Sequence, residues 1–236
     1  MSAETKLTRW VGLEINILGI AAVLLLLGTA SVGKVNAADT MVLIDPTPDF
    51  RTEWLERSTG SKALYEIAFV DGVRAIRADA SPGAASGLYR DVDLDLAAHP
   101  WIEWLWRVDE IQRSADIRSS KFDDFAAALF FIFRPQASIE KTTALAYVWT
   151  NATLPRGTFV SSPRSPETIR FVVVEAGEAN LGKWITSLRN VRDDYHVAFG
   201  KEAPNFLDSI ALWTDADQTM ERALAYYGAA VARLMR

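Results

Sequence analysis

The chain contains no cysteine. That excludes a disulfide framework, a thiol nucleophile, a thiolate zinc site and an iron–sulfur cluster. Histidine is nearly absent as well, with two in 236 residues. His99 precedes Pro100 in turn-like sequence, and neither His99 nor His196 lies in a nucleophile-elbow context. Both read as surface histidines rather than as catalytic bases or transition-metal ligands. An excess of positive charge is also missing. Lys and Arg number 25 against 30 Asp and Glu, for a net charge of -5, so no nucleic-acid partner is expected. No long Pro/Gly/Ser linker divides the chain, and no fixed-period repeat is visible. Half of the residues are apolar and 23% are charged, which is ordinary globular usage.

A single long apolar run lies near the N-terminus. Lys6 and Arg9 precede the uncharged stretch Ile17–Gly28, and Val35-Asn36-Ala37 places small residues before Ala38. This is the grammar of a secretory signal peptide over residues 1–37. The competing reading is a retained anchor, since Ile15–Gly33 approaches the ~20 apolar residues that span a bilayer. Asn16 inside the run and the small-residue site just after it favour cleavage. Residues 38–236 then form one periplasmic or secreted domain. Membrane contact is expected only through an uncleaved N-terminal segment.

That domain reads as strands and turns. Leu64–Val70 and Val73–Ala80 flank Asp71-Gly72, a two-residue hairpin signal. Gly87–Leu94 alternates. Trp101–Asp109 does so more clearly: Ile102, Trp104, Trp106 and Val108 share a core-facing side. Trp101, Glu103, Leu105, Arg107 and Asp109 share the wetter one. Phe125–Phe133 is apolar on both faces and predicts a central strand. Met41–Asp45, Leu145–Thr150, Thr168–Glu175 and Ile210–Thr214 are further strands, and Asn151–Pro166 reads as a long surface loop. Asn190–Gly200 reads as an amphipathic helix stopped by Gly200. Propensity assigns Thr219–Arg236 to helix as well. The sum is a mainly β, single-domain sandwich or jelly roll with one or two short helices.

Chemistry is less legible. Carboxylates suited to glycoside hydrolysis include Glu103, Asp109, Asp123, Asp124, Glu175, Asp193 and Asp194, but any acidic chain offers as many. Asp215-Ala-Asp217-Gln-Thr219 could present alternate oxygens from Asp215, Asp217 and Thr219 to a hard cation, a structural calcium. It is not an EF-hand, because Met220 and Tyr226 replace the required Gly and Glu. An Asx-type turn explains the same residues. Trp101, Tyr147, Trp149, Trp184 and Trp213 could stack on sugar rings or belong to the core.

Several motifs occur in a distinctive order: Trp104-Leu-Trp106-Arg107-Val108, Asp123-Asp124-Phe-Ala-Ala, Tyr147-Val-Trp149, Trp184, Arg189-Asn190-Val191, Asp194-Tyr195, Phe199-Gly200, Thr214-Asp215-x-Asp217-x-Thr219 and Ala225-Tyr226-Tyr227-Gly228. Over about residues 41–232 the chain resembles the bacterial domain-of-unknown-function family 3047, exported proteins of uncharacterised role. The resemblance implies an exported jelly-roll sandwich similar to carbohydrate-binding modules. It also implies that Tyr226-Tyr227-Gly228 opens a final strand, so a strand near Leu224–Leu234 is expected against propensity. Three positions depart from the family pattern. Ala229 follows the Gly where an acid is usual, Ala128 stands where Arg is usual, and Phe122 stands where Gly is usual.

The expectation is a non-catalytic binding module for a glycan or other envelope polymer. The alternatives are a glycan-active hydrolase or lyase using a carboxylate pair on the polar face of the Trp101 strand, and an assembly partner of an envelope protein. One ligand site is expected to gather Arg107, Asp109, Asp124, Tyr147, Trp149, Arg189 and Asp194. A buried polar network in which Arg107 and Arg189 pair with Asp124 and Asp194 would use the same residues.

Overall fold

The computed structural model describes residues 40–134, 142–151 and 154–234. The expected targeting segment, residues 1–37, lies outside them.

In chain order the described residues form β1 (Thr40–Ile44), β2 (Leu55–Ser58), β3 (Leu64–Val70), β4 (Val73–Ala80), β5 (Ala85–Asp95), β6 (Trp101–Glu110), β7 (Phe125–Phe133), β8 (Thr143–Thr150), β9 (Phe159–Ser161), β10 (Ile169–Ala176), β11 (Ile185–Asn190), helix α1 (Val191–Phe199), β12 (Phe206–Asp215) and β13 (Ala223–Arg233). One sheet runs β11-β6-β13-β4-β3, with β1 also on β13. The other runs β2-β5-β12-β7-β8-β10-β9. The β8–β10 pair is parallel and the other strand pairs are antiparallel. The expected β-sandwich is therefore what the chain forms.

Period-two alternation puts the large side chains between the sheets. Ile102, Trp104, Trp106 and Val108 of β6 are at most 1% exposed. The Trp104 ring lies 5.2 Å from Tyr147 and the Trp106 ring 5.9 Å from Trp149. Each such aromatic pair adds about 0.5–1.5 kcal/mol beyond area burial. The strands β7 and β8 are also buried on their outer face, where Ala128, Ala146, Val148, Phe171 and Val173 make a second apolar layer. Ala128 is fully buried in that layer.

Local chemistry sets the turns. Asp71 and Gly72 both take positive φ, 50° and 79°, as a two-residue hairpin turn matched to strand twist requires. Asn190 caps α1 by accepting from the backbone N–H groups of Arg192 and Asp193, and Gly200 ends it at φ 67°.

The structure departs from the sequence reading in two places. The C-terminal segment is not one of them: residues 223–233 form the strand expected near Leu224–Leu234, because β13 is flanked by β6 on one side and by β4 and β1 on the other. Tertiary pairing there outweighs the helix propensity of its alanines. The expected loop Asn151–Pro166 contains β9, which pairs with β10. The sequence reading also left out β2 and β11, two short strands that each pair on one side only.

Candidate functional site

The strand β11 is the edge of its sheet and hydrogen-bonds only to β6. Ile185, Ser187 and Arg189 stand in register with Trp106, Trp104 and Ile102, so they share that inward-facing side. Across from them lies β10, whose pairing with β8 shifts register between Val173 and Glu175. A bulge of this kind re-aims side chains at a sheet margin. Between the two strands runs a groove of about 240 Å³ lined by Arg156, Val174, Glu175, Ile185, Ser187 and Arg189.

Both arginines of the groove are held from behind. Arg189 Nε donates to Asp194 Oδ2 at 2.8 Å, and its Nη2 donates to Oδ1 of the same carboxylate. The Tyr147 hydroxyl donates to that Oδ2 at 2.8 Å. The hydrogen-bonded carboxylate raises the Arg189 guanidinium above its usual value, against the opposing effect of burial. Burial, then the Asp194 charge, pushes the Tyr147 hydroxyl well above the ordinary tyrosine value. Arg156 Nε donates to Glu175 Oε1 at 3.0 Å, and the Ala176 N–H donates to the same oxygen at 3.1 Å. Glu175 is 2% exposed, whereas the Arg156 side chain is 56% exposed. The result is a pair of fixed guanidinium forks facing a narrow groove.

The seven residues expected in one site do not stand as one constellation. Tyr147, Arg189 and Asp194 come together through direct hydrogen bonds. Trp149 lies beside Tyr147 on β8 only in the sense of strand neighbours: its Nε1 donates to the Gly177 carbonyl at 3.3 Å. Tyr147 and Trp149 are fully buried, so the expected stacking role is corrected; both rings pack against the tryptophans of β6. Arg107 and Asp109 bind each other on the outward face of β6, and Arg107 also donates to Asp71. Asp124 belongs to a different cluster. The expected pairing holds for Arg189 with Asp194, whereas Arg107 pairs with Asp109 and Asp71 instead of Asp124. Of the other aromatic candidates, Trp101 is 38% exposed, while Trp184 and Trp213 are half-buried.

The Asp124 cluster includes Asp215 and Asp217, each offering a carboxylate oxygen within 4.8 Å of the others. Thr219 is not arranged as expected of a third ligand. Its hydroxyl and backbone N–H both donate to Asp124 Oδ2, at 2.5 and 2.7 Å, so it orients that carboxylate. Burial, together with the charges of Asp217 and Asp124, pushes the Asp215 carboxyl up to about 9.

Arg156 and Ser187 were not legible as groove residues. Arg156 sits in turn-like sequence, and Ser187 belongs to a strand without a clear alternation. Glu175 stood only as one acid among several.

No curated protein matches the chain. Among solved structures, it is similar to a family 11 carbohydrate-binding module from Clostridium thermocellum in complex with a β-1,3-1,4-mixed-linked tetrasaccharide. The identity is 12%, coverage is 84% of this chain and 97% of that one, and the TM-score is 0.43. It is also similar to TmCBM27, a carbohydrate-binding module described for specific mannan recognition, at 6% identity, 84% and 99% coverage and a TM-score of 0.36. A native endo-1,4-β-glucanase, CelB2, is similar at 14% identity, 78% and 93% coverage and a TM-score of 0.38. A family model for a protein of unknown function, DUF3047, matches residues 52–231. The chain belongs to the DUF3047 family.

Proposed function

We propose that this protein is an exported, non-catalytic binding module for a glycan or another cell-envelope polymer, acting in the periplasm or outside the cell. The groove between β10 and β11 is the binding site. The observation that carries the reading is the paired immobilisation of Arg189 by Asp194 and of Arg156 by Glu175 along that groove.

A hydroxyl-rich chain needs fixed donors and acceptors at a concave surface. A guanidinium fork supplies planar, paired donors, and one already held by a carboxylate loses little freedom when it binds. Ser187 adds a hydroxyl that can donate or accept. The export reading draws on the charged start, apolar run and small-residue site within residues 1–37.

At the groove and on the outward face of β6, binding is favoured over hydrolysis by how the acids are committed. Glycoside cleavage needs two carboxylates flanking one bond, one of them free to carry a proton. Glu175 is tied to Arg156, and Asp194 is tied to Arg189 and Tyr147. On the outward face of β6, Glu103 pairs with Arg233 and Asp109 with Arg107. The envelope-partner reading draws instead on Trp101 and Leu188, which are 38% and 50% exposed.

The test is a glycan-array screen with the full chain, followed by calorimetry on any hit with Arg189→Lys and Arg156→Lys. Each lysine keeps the charge and removes the fork. The expected result is retention of a polysaccharide and at least tenfold weaker binding in one or both variants. No retained glycan, or an affinity in both variants equal to the parent's, overturns the reading. Loss of binding on Trp101→Ala with both Lys variants unaffected would move the site to the outer face of β6.

A further inference from the structure

Away from the groove, at one end of the sheet that holds β7 and β12, lies a cluster of three carboxylates. Asp215 is the last residue of β12 and stands in register with Phe125, the first residue of β7, so Asp124 is its immediate neighbour. The β12–β7 register shifts between Trp213 and Asp215, with the extra residue in β7. Asp217 follows in the loop to β13. One carboxylate oxygen from each of Asp124, Asp215 and Asp217 lies within 4.8 Å of the others.

Like charges this close are relieved either by a proton or by a cation. Among the described residues, no Lys, Arg or His makes an ion pair with any of the three. The nearby Arg164 is paired with Asp123 through Nε at 2.7 Å and Nη2 at 2.9 Å. Thr219 and the Gln218 N–H donate to Asp124, but they bring no cation.

A second observation comes from outside the acidic cluster. Gln112, in the segment after β6, is fully buried, and its Nε2 donates to the Asp215 carbonyl. The oxygen of that same amide, Oε1, is buried with no hydrogen-bond partner. Oδ1 of Asp215 and Oδ1 of Asp217 are likewise buried and unpartnered. Unsatisfied buried oxygens are costly, and each of these three has no hydrogen-bond partner in the protein.

We infer that Asp124, Asp215 and Asp217, with the side-chain oxygen of Gln112, bind one calcium ion. All four candidate ligands are oxygen atoms, which suits a hard cation. Calcium–oxygen distances of about 2.3–2.6 Å let one ion reach oxygens up to roughly 4.8 Å apart. Magnesium requires shorter distances, near 2.0–2.1 Å, and strict octahedral geometry, whereas calcium accepts an irregular set of carboxylate and amide oxygens such as this one. The ion would join the segment after β6, from one sheet, to the ends of β7 and β12, from the other. Its role is to lock that end of the sandwich, and it does not depend on the groove's being a glycan site.

The test uses the full chain stripped with chelator, then titrated calorimetrically with calcium chloride and, separately, magnesium chloride, with a thermal melt under each condition. The expected result is one calcium per chain, a higher melting temperature with calcium than with chelator, and a weaker response to magnesium. Asp217→Asn should weaken calcium binding by about tenfold or more, because ligand charge count sets affinity in such sites. It should also melt no lower than the stripped parent, since it relieves repulsion. The exposed Asp193→Asn serves as the control and should bind as the parent does. Absence of calcium uptake at about 10 mM, beyond the weak end of extracellular calcium modules, overturns the inference. So does uptake that Asp217→Asn leaves unchanged.

Discussion

The hydroxyl of Tyr147, fully buried between the sheets, donates to the carboxylate of Asp194 on helix α1 across 2.8 Å. One oxygen thereby receives the Tyr147 hydroxyl and Arg189 Nε together. This joint fastens the helix that follows β11 to the central strand β8, and it sets where the Arg189 fork stands in the groove.

Tyr147→Phe removes a hydrogen bond to a charged acceptor while leaving the ring in place. We expect a loss of about 1.5–3 kcal/mol in urea unfolding. Asp194→Ala should cost more, roughly 3 kcal/mol or above, because Arg189 and the Tyr147 hydroxyl both lose their acceptor. Equal stability of Tyr147→Phe and the parent would mean that the joint is held by Arg189 alone.

Gly87 occupies a close approach of two strands. A Cβ there would lie 2.2 Å from Cε3 of Trp213 and 2.7 Å from the Leu212 carbonyl oxygen. Those atoms belong to β12, the direct neighbour of β5 at Gly87↔Trp213. Neither can yield without shifting the ladder or the indole. Gly87→Ala should destabilise by about 1–3 kcal/mol or more. A melting temperature equal to that of the parent would show that the indole can move aside.

Burial raises the hydroxyls of Tyr65, Tyr147 and Tyr227 above the ordinary tyrosine value. A raised folded-state value means that the unfolded chain releases these protons first. Their contribution to stability is therefore complete below about pH 10, and is lost as pH rises beyond it toward the folded-state values. Tyrosinate absorbance followed with circular dichroism should show these three among the six tyrosines silent near pH 10 and appearing only as the β signal disappears. Ionisation of all six with an intact β signal would contradict the burial.

The described strands whose residues alternate cleanly were legible in advance. The hairpin Leu64–Val70 and Val73–Ala80 lies where Asp71-Gly72 placed it, and the inward set Ile102, Trp104, Trp106 and Val108 is buried as the period required. The helix at 191–199 announced itself through Asn190, its four-residue spacing and Gly200. The strand β11 carried no such mark. Ile185-Thr-Ser-Leu-Arg-Asn190 is an edge whose inward side is only partly covered, so its apolar pattern is incomplete. Missing that strand hid the groove it borders.

By itself, the sequence determined the elements that local chemistry dictates: the face each regular strand turns inward, the two-residue turn, and the start and stop of the helix. These follow from backbone sterics and from side-chain periods of two and 3.6 residues, which act over a few positions. Only the tertiary structure decided that Asp194 meets Tyr147 rather than Arg107, that Glu175 holds Arg156, and that Asp124 lies against Asp215. Each of these contacts joins elements distant in sequence. Periodicity fixes which side of a strand a residue occupies, but the order of strands in a sheet and the stacking of the two sheets fix its neighbour. That order is set by packing the whole core at once.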